Sequence, residues 1–141
     1  RHGLQISGDL ASGHVALPVD RQLAPGASEL PQRHAVAAIE PGEALILSGE
    51  MQCPIAEILP LRAGTALVFA PLARFRIELQ GDCVVPTAET FIFTLGLPSP
   101  RQGETMQPFR LDLGPQLFKP IEHRLVDTAR WLELDLLRAA G

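Results

Sequence analysis

The sequence predicts a mainly β fold, a small barrel or jelly roll followed by a C-terminal α-helix, and three observations carry that prediction. Turn-forming residues are frequent, with 13 Pro and 12 Gly in 141 residues, and the apolar runs between them are short, which is the pattern of many brief strands. Apolar and charged residues alternate from Arg74 to Leu79, the period of a strand with two unlike faces. After Phe118 the apolar period changes to three or four residues, the spacing of one helix face. One domain over 1–141 is expected, with the barrel at about 1–114 and the helix at about 118–139, since domains commonly run to about 100–150 residues.

In chain order the candidate strands are Leu4 to Ser7, His14 to Leu17, His34 to Ile39, Ala44 to Leu47, Ala66 to Ala70, Arg74 to Gln80, Thr90 to Leu97 and Phe109 to Leu113. The breaks between them are APG at 24–26, PG at 41–42, AG at 63–64, QGD at 80–82 and PSP at 98–100, dipeptides and tripeptides that favour turns. The stretch LRAGTALVFAPLARFRI from Leu61 to Ile77 shows the rule in miniature: a Gly turn opens an apolar strand, Pro71 ends it, and an alternating strand follows. The last element is set by Ile121, Leu125, Ala129, Leu132 and Leu136, which fall along one face of a helix whose first turn would contain Pro120. Trp131, Leu134 and Leu137 lie off that stripe and form a candidate contact surface for a symmetric homodimer.

Composition excludes several functions. The chain is 46% apolar with a formal net charge of -4 and a pI near 5.5, so it lacks the basic field that nucleic acid or anionic lipid would require. No nucleic-acid contact by this domain and no membrane partner are expected. No apolar run approaches the ~20 residues of a spanning helix, and no signal-peptide pattern is visible. Cys53 and Cys83, the two cysteines, are far apart and read as small buried side chains instead of a metal pair. A cytoplasmic home is expected. Neither a nucleophile elbow, a phosphate-binding loop nor a dinucleotide fingerprint occurs.

Residues 22–80, from APGASELPQRH through EALILSGEM to LRAGTALVFAPLARFRI, resemble the cupins, small double-stranded β-helix barrels built on two short motifs. In that family the first motif carries two His and then a Glu before a strand ending in Gly. The second has a Gly, an apolar strand, a Pro and a third His. Glu43, Gly49, Gly64 and Pro71 fall in register, whereas the three imidazole positions hold Val36, Ala38 and Phe75, with Arg76 next to the last if the register slips by one. The resemblance therefore implies a barrel without the family's metal, and no cofactor is expected.

By strand parity Phe75, Ile77 and Leu79 share one face and Arg74, Arg76 and Glu78 the other. The register implied by the resemblance turns the apolar set inward, so that Val36, Ala38, Leu45, Leu47, Phe75 and Ile77 line an apolar interior. His34 shares a face with Val36 and Ala38, and Glu43 is placed to face it. One imidazole and one carboxylate fall short of the three or four protein donors of a usual transition-metal site. His2, His14 and His123 show no ligand spacing and read as surface residues. The expected function is a metal-free cupin-like binding, sensing or interaction module for a small apolar ligand, such as the sensor half of a bacterial regulator. The alternative is a metal-independent cupin-type enzyme using Glu43 and His34 as base and acid on a small, largely apolar substrate.

Overall fold

In the computed structural model, residues 2–14, 17–25, 30–81, 88–99, 101 and 106–127 are described. Two antiparallel sheets form the framework. Strands β1 (His2–Ser12), β2 (Gln32–Ile39), β5 (Pro71–Gln80), β6 (Ala88–Gly96) and β8 (Glu122–Leu125) make a five-stranded sheet in the order β2-β1-β5-β6-β8. Strands β3 (Leu61–Ala63), β4 (Ala66–Phe69) and β7 (Phe109–Arg110) make a three-stranded sheet in the order β3-β4-β7. A five-residue helix, α1 (Val19–Leu23), and a 3-10 turn at Ile55–Glu57 complete the regular elements. None of the described helices is long and apolar enough to cross a membrane.

The mainly β prediction holds, and the alternation at Arg74 to Leu79 explains why. β5 pairs β1 along its whole length, from Gly3 opposite Gln80 to Ser12 opposite Pro71. Phe75, Ile77 and Leu79 face the same side as Gly8, Ile6 and Leu4, while Arg74 lies beside Asp9 on the other. Gly8 is needed here, because a Cβ on it would stand 2.9 Å from Cδ1 of the Phe75 ring. The opening of the Leu61 to Ile77 stretch is a β3–β4 hairpin turned at Gly64, whose φ of +64° favours glycine. Pro71 then begins β5 in the other sheet, a strand start that needs no proline N–H.

The core lies on the Arg74 side. Leu72 of β5, Ile92 of β6 and Leu23 of α1 are buried together, with Val19 and Val126 packed against them. Helix α1 is too short to be stable alone and depends on this burial. Arg74 reinforces it, donating from Nη1 to the carbonyl oxygens of Arg21 at 2.9 Å and Gln22 at 3.3 Å, acceptors left open at the helix end.

Three expectations are corrected. No closed barrel forms among the described residues, because the segment expected as the strand Ala44 to Leu47 is irregular and exposed, with Ile46 97% accessible. His14 and Leu17, the ends of another expected strand, lie outside any strand and are held by Gln22, which bonds the His14 N–H and the carbonyls of His14 and Leu17. The C-terminal helix does not begin after Pro120. Glu122–Leu125 is strand β8, pairing Leu125 with Phe93 and Glu122 with Gly96 of β6, and the Val126 N–H continues the ladder to Ile92. Ladder hydrogen bonds and the docking of Val126 override the helical spacing of Ile121 and Leu125, which are 51% and 60% exposed. The rest of that stripe, Ala129, Leu132 and Leu136, lies outside the described residues, as do Trp131, Leu134 and Leu137.

Candidate functional site

His34, Leu47 and Phe75 come together. They line one cleft of about 280 Å³ with Ile6, Arg33, Gly49, Glu50 and Met51. His34 stands on β2 opposite Ile6, Phe75 comes from β5, and residues 47–51 lie against them without forming a strand. The contact at Gly49 is close: a Cβ there would sit 3.6 Å from His34 Nε2. The walls are mostly apolar, with one imidazole, one guanidinium and one carboxylate.

Val36 and Ile77 are half-buried on the sheet face beside this cleft, and Ala38, also half-buried, falls in a second bulge of β2 between Val36 and Ile39. Glu43 and Leu45 stand outside it in the exposed segment. No side-chain hydrogen bond or ion pair joins His34 to Glu43 among the described residues. Glu50 is the acid that lines the cleft with His34. It carried no pattern in the sequence, because residues 43–50 approach β2 without a strand period.

Arg33 was also hidden, and a bulge accounts for it. β1 pairs Ile6 with His34 but Ser7 with Gln32, so an extra β2 residue interrupts the register. A bulge redirects side chains and breaks strict alternation. Arg33 and His34, neighbours that alternation would send to opposite faces, therefore border the same cleft, and Arg33 Nε donates to the Gly8 carbonyl at 2.9 Å.

A second cleft, about 440 Å³, opens on the core side between β1, β5, α1 and the 53–59 segment. Its floor is a two-pronged ion pair, Arg74 Nε to Asp9 Oδ1 at 2.8 Å and Arg74 Nη2 to Asp9 Oδ2 at 2.7 Å. Ser12 ties the far wall to β1: its Oγ accepts the Leu59 N–H at 2.9 Å. Cys53 lines this cleft, and burial, then the negative charges of Glu57 and Asp9, push its thiol pKa up. Such a thiol is held protonated, the reverse of an activated nucleophile. Among the described residues no three His, Cys, Asp or Glu side chains gather in a metal-binding group. A third, apolar groove of about 340 Å³ runs between α1, Leu61 and Val126.

No protein-family model matches this chain, and neither a curated protein nor a solved structure does.

Proposed function

We propose that this chain is a binding module for a small, largely apolar molecule seated in the His34–Phe75 cleft, serving a sensing or interaction role as the sensor part of a regulator would. The observation that carries the proposal is the convergence of His34, Leu47 and Phe75, from three separate parts of the chain, on one cleft. Apolar walls with a few polar groups are the usual composition of small-molecule sites. His34 and Glu50 supply fewer donors than a usual transition-metal site, so the ligand would be held without a metal. The spacing of Glu43, Gly49, Gly64 and Pro71 and the antiparallel sheets support a cupin-like relation as part of this reading, and a homodimer is its working assembly.

Anilinonaphthalene sulfonate, an apolar fluorophore, tests the cleft. One saturable site is expected, weakened at least tenfold by Leu47→Glu, which sets a charge into the cleft wall at a half-exposed position. Equal binding by the variant overturns the reading. The second reading, a metal-independent enzyme, is favoured by the presence of two titratable groups, His34 and Glu50, in the same cleft. Turnover of a small ester or lactone, abolished by both His34→Ala and Glu50→Gln while the fluorophore still binds, would select it.

A further inference from the structure

The apolar groove between α1, Leu61 and Val126 is floored by the core itself. Leu23 and Leu72 belong both to the buried cluster and to the groove wall, and Val19, Leu61, Ala70 and Val126 stay half-buried around them. No described Asp, Glu, Lys or Arg lines it. Two of its polar side chains are already committed: Gln22 Nε2 donates to the carbonyls of His14 and Leu17 at 2.9 Å, and Gln22 Oε1 accepts the His14 N–H at 3.0 Å. Thr94 Oγ1 donates to the Arg124 carbonyl at 3.3 Å. The groove therefore offers buried area to an apolar occupant and few hydrogen bonds to a polar one.

We propose that residues 128–141 of the same chain occupy this groove, with Leu132 and Leu136 seated in it. The occupant is argued from chain continuity. Val126 lines the groove and its N–H donates to the Ile92 carbonyl at 2.8 Å, so the backbone is held at the rim. Leu132 follows six residues later, within about 20 Å of chain. A tether this short gives the segment an effective concentration in the millimolar range, which a free partner would have to exceed. Leu132 and Leu136 lie four residues apart, a spacing that places them on the same side of a helix and of an extended strand alike. The pair can therefore face the groove in either conformation, while Arg130, Glu133, Asp135 and Arg138 supply the polar sides of the segment. This docking is independent of what the His34–Phe75 cleft binds.

Limited trypsin digestion of the full 141-residue chain, read by mass spectrometry, tests it, because Arg130 and Arg138 are cleavage points within the segment. Cleavage after both should be at least tenfold slower than in a synthetic peptide of residues 128–141, since a docked segment must open before it is cut. Leu61→Glu sets a carboxylate into the groove from β3, and the double variant L132D/L136D removes the apolar pair. Each should restore cleavage to near the peptide rate while far-ultraviolet circular dichroism is unchanged. Anilinonaphthalene sulfonate reads the groove itself: L132D/L136D should gain one saturable site over the unsubstituted chain, and adding Leu61→Glu should remove that site. Peptide-rate cleavage of the unsubstituted chain overturns the proposal, as does an unchanged number of fluorophore sites in L132D/L136D. Protection that is lost on dilution, in step with dimer dissociation in sedimentation, also overturns it and gives the groove to a second copy.

Discussion

The two faces of the five-stranded sheet share one alternating strand pattern and end in different states. On one face Leu72 and Ile92 are buried under α1, Ile92 completely, and Arg74 fastens the helix to the sheet. On the other, Phe75 meets Phe93 edge-on at 6.0 Å and Phe93 meets His123 at 5.7 Å, yet these side chains stay half-buried or, at His123, exposed. The difference is in the cover. One face receives a regular element with two apolar anchors, Val19 and Leu23. The other receives an irregular segment that leaves a cleft beside His34. Alternation identifies an apolar face; what packs on it decides whether that face becomes core or site.

Truncation on the two faces provides the largest contrast. Ile92→Ala opens a cavity in the buried face and should cost about 3 kcal/mol, within the range for buried aliphatic truncations. Phe75→Ala removes a ring that is already partly in water and should cost about 1–2 kcal/mol, since less area is returned to solvent. Urea unfolding of both variants measures the difference. Equal losses, or a larger one at Phe75, would show the aromatic face to be the principal core and break the comparison.

The fastening of α1 comes next. The Asp9 and Arg74 side chains are 23% and 12% exposed, so the pair is partly dehydrated and its geometry fixed. Arg74→Met keeps much of the side-chain bulk but leaves Asp9 and the α1 carbonyls without their donor, and should cost about 1–2 kcal/mol. Hydrogen exchange should quicken in α1 while β2 amides stay unchanged. Uniform acceleration through the sheet would mean that the pair supports the whole fold instead of the helix.

The smallest effect concerns Cys53, in a Cys83→Ser background that leaves one thiol. Its alkylation by iodoacetamide should require a higher pH than a free cysteine, because burial and then Glu57 and Asp9 raise its pKa, and Glu57→Gln should move the profile part of the way back. The sign for stability follows. A thiol whose folded pKa lies above its unfolded value leaves stability unchanged below the unfolded pKa and lowers it as pH rises through the folded one. A profile at or below that of free cysteine would make the core-side cleft a reactive thiol site.

Much of the framework was legible because it depends on local periodicity. The two-residue period of Arg74 to Leu79 assigned those six side chains of β5 to their faces, Gly64 and Pro71 marked where strands end and begin, and the runs at Leu4, His34, Ala66 and Thr90 located β1, β2, β4 and β6. Of the site, His34, Leu47 and Phe75 could be named from the chain, whereas Glu50 and Arg33 could not. Glu50 reaches the cleft on a segment without period, and Arg33 through a bulge that exists only once β1 and β2 are paired.

What the chain determined by itself was therefore the β class, most strand positions and which side chains of Arg74 to Leu79 share a face, since these follow from side-chain order along an extended backbone; that the core forms on the Arg74 side, under α1, did not follow from it. Tertiary structure decided the rest. Residues 122–125 are a strand because β6 offers them hydrogen-bond partners and Ile92 a place for Val126, although their spacing suits a helix equally well. Five residues at Val19–Leu23, too few to show a helical period, are a helix because Leu72, Ile92 and the Arg74 guanidinium receive them. In both segments the free energy that selects the conformation comes from residues distant in sequence, so no local pattern records it.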